Sequence, residues 1–192
     1  MTLPSVFASA SGGLVITDYM CATLASDPRS ISPTRFHNSV HNAAAGYWSI
    51  AAGSTRPYTA LSAGSLSFAA GLLESLLQSA STGEDVLFVS YDIEARGPLA
   101  GVAPSRDLLA AALVVASNPG ERCVACIDWD FVHGADAVAS TARPANAALV
   151  AGNSNEPCLP VFEALALGME SELITVVSPG VGLRLRVSPA RP

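Results

Sequence analysis

The stretch from Ser32 to Ser75, SPTRFHNSVHNAAAGYWSIAAGSTRPYTALSAGSLSFAAGLLES, leaves a chain few ways to fold. It predicts helix, turn, strand, sharp turn and helix in succession. Ser39 to Ala52 is rich in alanine, with larger apolar side chains at Val40, Tyr47, Trp48 and Ile50, which suits a helix packed close against its neighbours. Gly53 caps that helix and Pro57 bars its continuation. Tyr58 to Ala63 fits a short buried strand. Gly64 permits a tight turn, and Ser65 is placed to cap a helix from Leu66 to Ser79. Leu66, Ala69, Ala70, Leu72, Leu73, Leu76 and Leu77 give that helix a broad apolar face. A strand that turns sharply into a helix puts the turn residue at a helix N-terminus. Free N–H groups and the helix dipole there favour a nucleophile or an anion.

The same residues carry a resemblance. Ser32-Pro33, Asn42, Ala45-Gly46, Gly53 and Pro57 fall at the spacings of the nucleophile-bearing segment of the β-ketoacyl-acyl-carrier-protein synthases. Upstream, Phe7 to Arg29 (FASASGGLVITDYMCATLASDPR) resembles their Gly-Gly turn and following helix. FHNSVHNAAAGYWSIAAG with SFAAGLLES is closer still to one branch, the short chain-length factors of aryl polyene pathways. The resemblance covers roughly Leu3 to Leu99. It implies an α/β protein, half of a thiolase-like (ketosynthase) fold, with a layered mixed sheet and helices.

The synthases place a cysteine at the turn. A gap-free frame from Ser32 puts Ser65 there; a second frame, with a deletion in the strand, puts Leu61 there. The first is preferred because it keeps the strand whole. A serine hydroxyl needs a positioned general base. The synthases use two histidines from their second half, whereas the only histidines here are His37, His41 and His133. Ser65 is therefore weighted as a helix cap over a nucleophile, and no catalytic residue is assigned. The resemblance implies a non-catalytic subunit pairing with an active ketosynthase in polyketide, aryl polyene or fatty acid synthesis. Leu61, Ser65, Leu66 and Phe68 would line or plug the acyl tunnel, with Trp48 at the tunnel or the partner interface. No cofactor and no metal is implied. An acyl carrier protein is a further partner, for which Arg29, Arg35 and Arg56 are candidate contacts. The alternatives are an enzyme, either a synthase with serine in the cysteine position or a malonyl-carrier-protein decarboxylase, and a degenerate structural protein.

Composition bounds the rest. Half of the 192 residues are hydrophobic and only 14% are charged, against a usual ~25%. Much of the surface is then apolar or covered by a partner. A net charge of −6 with no basic cluster argues against nucleic acid. Ala110 to Ser117 is apolar but too short to span a bilayer. The N-terminus lacks a basic leader, so the expected location is the cytoplasm. The four cysteines lack framework spacing and are expected as free thiols.

In chain order, Leu3 to Ala8 predicts a strand and Leu14 to Leu24 a helix. The synthases carry a further strand and helix before this point, so the chain is expected to start late. Asp85 to Tyr91 predicts a buried strand with Asp92 at its end, where α/β sheets place functional groups or a turn-forming aspartate. Glu94 to Ser105 predicts a loop. Asp107 to Ser117 suits a helix by composition, or a strand near Ala112 to Ala116 as the resemblance implies, which is favoured; with Cys123 to Phe131 it predicts a hairpin about Asn118-Pro119-Gly120. Cys123 and Cys126 then face opposite ways along one strand and are expected as buried thiols. His37 and His41 have a zinc-like spacing without a third ligand, which favours a helix-start or interface role. Val132 to Asn155 predicts a long loop and Leu159 to Gly168 a short helix. Leu173 to Val177 and Leu183 to Val187 predict a second hairpin. The expected division is residues 1–131, synthase-like, and 132–192, an extension.

Overall fold

The computed structural model describes residues 2–190. A first sheet has the order β2-β1-β3-β4, built from Ser5–Ala8 (β1), Tyr58–Leu61 (β2), Val86–Asp92 (β3) and Leu109–Val115 (β4). β1 runs parallel to both β2 and β3, and β4 is antiparallel to β3. A second, antiparallel sheet has the order β5-β7-β6, from Ala125–His133 (β5), Ser171–Ser178 (β6) and Val181–Pro189 (β7). The helices are Leu14–Ser26 (α1), Pro33–His37 (α2), Ala43–Ala51 (α3), Ser67–Thr82 (α4), Pro144–Leu149 (α5) and Leu159–Leu167 (α6). This is a layered α/β architecture of the kind the sequence resemblance implies. β1 has a hydrogen-bonded strand on each side, so the sheet has no vacant slot beside it.

The core joins the two sheets through α4. Phe68, Leu72 and Leu76 meet Val6, Ala8, Val86 and Phe88 of the first sheet and belong to one cluster with Cys158, Val161, Leu183 and Leu185. Leu72, Phe88, Leu183 and Leu185 are wholly excluded from solvent. Each such side chain contributes roughly 1.5–3 kcal/mol relative to exposure. Close approach of α4 to the sheet depends on Gly71. A Cβ there would lie 2.6 Å from the Ala8 Cβ and 2.7 Å from the Phe88 ring. α4 ends at Gly83, whose φ of 70° is the left-handed conformation that glycine adopts without penalty. On the far face of the second sheet, Arg184 pairs with Asp130 and Arg186 with Glu172 across the strands. The hydrogen bond from Arg184 comes first among the causes that hold the Asp130 carboxyl below its ordinary pKa.

Several sequence expectations change here. The helix expected over Ser39–Ala52 is shorter, α3 over Ala43–Ala51 alone, and a turn over residues 38–42 separates it from α2. Asn38, Ser39 and Asn42 are short polar residues that compete for backbone groups; the Ser39 hydroxyl donates to the Phe36 carbonyl at 2.7 Å. α2 starts with Pro33 behind Ser32, whose hydroxyl accepts from the Arg35 N–H. β2 is a sheet edge, exposed at Tyr58 and half-buried beyond it, not a buried strand. The hairpin about Asn118 does not form, because β4 pairs with β3 and β5 pairs with β7 in the other sheet. The loop expected over Val132–Asn155 contains the end of β5 and all of α5. Residues 131 and 132 both lie within β5. The β6–β7 hairpin and the helix closed by Gly168 are as expected.

Candidate functional site

The site grows from the turn between β2 and α4. Gly64 has a φ of 58° and turns the chain sharply. The hydroxyl that holds the turn is that of Ser67, which accepts from the Ala63 N–H at 2.9 Å and donates to the Gly64 carbonyl at 2.7 Å. α4 starts at Ser67 with Leu66 in the cap position. Ser65 is therefore not the cap expected from the sequence: it stands before the helix, exposed. Ser62 donates to the Ala10 carbonyl at 2.8 Å, tying this turn to the loop after β1.

Ser65 and Leu66 open onto a pocket of about 150 Å³. Its other walls are Ala69 of α4, Pro157, Pro160 and Val161 at the start of α6, Leu173 to Val176 of β6, and Ala139 with Ser140. The lining is largely apolar and holds no titratable side chain. A space this size accommodates a small hydrocarbon group.

The remaining sequence candidates lie elsewhere. Phe68 points into the core against Phe88, with ring centroids 5.7 Å apart. Trp48 packs at a tilt against Phe7, ring centroids 5.8 Å apart, on the side of the first sheet that carries α3. Leu61 ends β2 and is half-buried. His41 donates from Nε2 to the Leu61 carbonyl at 2.8 Å and crowds Gly12, so it braces the turn; His37 and His133 are exposed. Arg35 lies over the Tyr19 ring at 3.8 Å and Arg56 pairs with Glu84. No metal-holding group of His, Cys, Asp or Glu exists among the described residues, and no described helix is long and apolar enough to cross a membrane.

Asp92 serves the backbone. Only 2% exposed, it accepts from the Ser9 hydroxyl at 2.8 Å, from Ala10 N–H at 3.0 and 3.1 Å, and from Ser11 N–H at 3.3 Å. Beside it, burial first and the Asp92 charge second raise the Tyr91 pKa. A second buried group was not legible in the sequence. The Asn153 side chain donates to the Arg106 carbonyl at 2.6 Å and its oxygen accepts from Asn155 N–H at 2.9 Å. Asn155 in turn donates to the Leu109 carbonyl. An asparagine pair in a stretch without periodicity gives no signal of burial, so only the tertiary contacts reveal it.

The cysteines are free. Contrary to the buried pair expected, Cys126 is exposed and Cys123 half-buried, because β5 is an edge strand that starts after Cys123. Cys158 is the buried one, and desolvation pushes its thiol up to about 12. A thiol reagent at neutral pH is expected to label Cys21 and Cys126 rapidly and Cys158 only on unfolding; rapid labelling of Cys158 in the native chain would contradict its burial. The unfolded chain ionises this thiol near its ordinary value, well below the folded one. Its contribution to stability is thus complete below that value and is lost as pH rises toward 12.

Residues 1–170 match the family described as beta-ketoacyl synthase, N-terminal domain. The chain belongs to that family. Among solved structures, this synthase-family chain is similar to a chain of the ketosynthase ApeO in complex with its chain length factor ApeC from Xenorhabdus doucetiae. The TM-score is 0.71 at 24% identity, over 98% of this chain and 70% of that one. It is also similar to the ishigamide ketosynthase/chain length factor, with a TM-score of 0.64 at 15% identity over 98% and 73%. At these identities the likeness is one of fold. No curated protein matches the sequence.

Proposed function

We propose that this synthase-family chain is a non-catalytic, chain-length-factor-type subunit that pairs with an active ketosynthase. The observation that carries this is the Ser65 turn: Ser65, on which the gap-free frame would set the family's nucleophile position, is an exposed serine beside an apolar pocket with no titratable lining. A serine nucleophile requires a base within hydrogen-bond reach. His41, the histidine bonded nearest the turn in sequence, is engaged by the Leu61 carbonyl. The pocket would act sterically, its walls limiting where a growing acyl or polyene chain stops, with catalysis on the partner's cysteine.

The partner surface in this reading is the free edge of β2 with α2 and α3. Phe36, Val40, Tyr47, Ile50 and Tyr58 are all exposed there, an apolar density that solvent disfavours. An unpaired strand edge adds donors and acceptors for a neighbouring chain. Leu61 and Trp48 would back this surface, Ser65 and Leu66 would face the acyl group, and Phe68 would support the turn from the core. An acyl carrier protein would approach the assembled pair, and the cytoplasm is the fitting site for such synthesis.

Co-expression with a candidate ketosynthase from the same organism tests the proposal. A stable heterodimer is expected, in which Ser65→Ala keeps turnover within about twofold. Ala69→Phe, which fills the pocket, is expected to shorten the product by several carbons. Loss of turnover by more than about 100-fold with Ser65→Ala in an intact complex would instead make this chain an enzyme, that being the scale on which nucleophile loss acts. Failure to form any complex would leave a structural protein.

A further inference from the structure

One wall of the Ser65 pocket is unlike the others. Ala69, Val161 and Leu173 to Val176 belong to helices and a strand, but Ala139 and Ser140 come from residues 137–143, which are neither. None of these seven residues is buried, and Val138 is 69% exposed. The segment is anchored at both ends. Before it, Gly134 N–H donates to the Gly180 carbonyl at 2.9 Å. After it, Arg143 N–H reaches both Glu163 carboxylate oxygens at 3.0 and 3.1 Å, and Asn146 Nδ2 donates to the same carboxylate at 2.6 Å.

Between the anchors there is a single fastening. Ser140 N–H donates to the Ile174 carbonyl at 2.8 Å, and Ile174 N–H donates to the Ser140 hydroxyl at 2.9 Å. Among the described residues, Ser140 makes the only hydrogen bonds of residues 138–142. Ile174 lies on the outer edge of β6, where alternate backbone groups of an antiparallel ladder face away from the partner strand. Ser140 thus satisfies one position of that edge and nothing more. A segment with small side chains, little buried surface and one two-point fastening opens at low free energy relative to the sheets beside it.

We propose that residues 137–142 are a gate over the Ser65 pocket, latched by Ser140 on Ile174 and hinged at Gly134 and Arg143. The gate admits an apolar hydrocarbon group to the space between α4, α6 and β6. This inference rests on reading that pocket as the ligand-facing end of the site. Gate residues are small, so the opening they control is set by the latch and not by bulk.

The test uses the full chain, with benzene as the probe of the apolar space. In amide exchange, Ser140 and Ile174 are expected to open together, at least about tenfold faster than Thr175, which faces Leu183 in the β6–β7 ladder. Ser140→Ala removes one of the two latch bonds on an unburied residue. It is expected to speed Ile174 exchange about fivefold and benzene entry and exit by a similar factor. Benzene that binds wild type and Ser140→Ala with equal rates would overturn the gate while leaving the pocket intact. An Ile174 amide as slow as Thr175 would also overturn it. Absence of benzene binding to either protein would remove the pocket reading and the gate with it.

Discussion

Gly71→Val is expected to destabilise the chain by more than about 3 kcal/mol, an overpacking cost at the top of the usual range. The contact is with fixed parts of the fold. The first added atom meets Ala8 Cβ at 2.6 Å, on a strand bonded on both sides, and the Phe88 ring at 2.7 Å. Ala8 has no rotamer with which to withdraw, and Phe88 is wholly buried. Gly71→Ala separates packing from helix propensity. Alanine favours a helix interior by about 1 kcal/mol over glycine, so a net loss of about 2 kcal/mol would mean that packing costs about 3. In a thermal melt that loss corresponds to about 4–8 °C for a chain of this size. A Gly71→Ala protein as stable as wild type would show that α4 does not sit this close to β1.

Asp92→Ala is expected to cost about 3–4 kcal/mol, because the Ser9 hydroxyl and two backbone N–H groups lose a charged acceptor together. Asp92→Asn is expected to recover only part of this, since one oxygen remains while the amide NH2 opposes a donor. Ser9→Ala alone should cost about 1–2 kcal/mol, with some strain at Gly12, whose N–H donates to the Ser9 hydroxyl at 2.8 Å. Urea unfolding of the three variants ranks them. If Asp92→Ala proved no worse than Ser9→Ala, the backbone bonds to the carboxylate would be idle. The effect reaches the site as well. Ala10 accepts from Ser62 in the turn before α4, so loosening the β1 loop releases one support of the Ser65 turn.

Local patterns gave away the elements whose fate is decided locally. The run Val86 to Tyr91 is a strand with every second side chain buried. The Leu-rich face of α4 and the Pro179-Gly180 turn also stand in the structure as the residues imply. What failed to show was pairing between distant segments. Leu109 to Val115 and Ala125 to His133 flank a turn signal, yet each finds its partner elsewhere. In β4, Leu109, Ala111, Leu113 and Val115 are covered while Ala110, Ala112 and Val114 are open. Hairpin pairing would have matched that strand's needs equally well, so sequence could not choose. At the site, the sharp turn and Gly64 were visible, and so was the exposed position of interest. The pocket was not, because nine of its twelve lining residues arrive from residues 139–176. Ser65 and Ser67 are equally good caps by type, and only the Ser67 bonds to Ala63 and Gly64 distinguish them.

The order β5-β7-β6 has a consequence for how the chain is made. β5 leaves the ribosome with no strand to pair with, since its sole neighbour β7 begins about 50 residues later. At ~5–20 residues per second, Trp129 and Phe131 wait several seconds on an unmatched edge. The match to the synthase N-terminal-domain family ends at residue 170, one residue before β6 begins. A fragment cut there would keep β5 and lose Leu183, Leu185 and Val187, three of its covering residues. Such a fragment should be captured by chaperones or aggregate, while the same chain carried through β7 stays in solution.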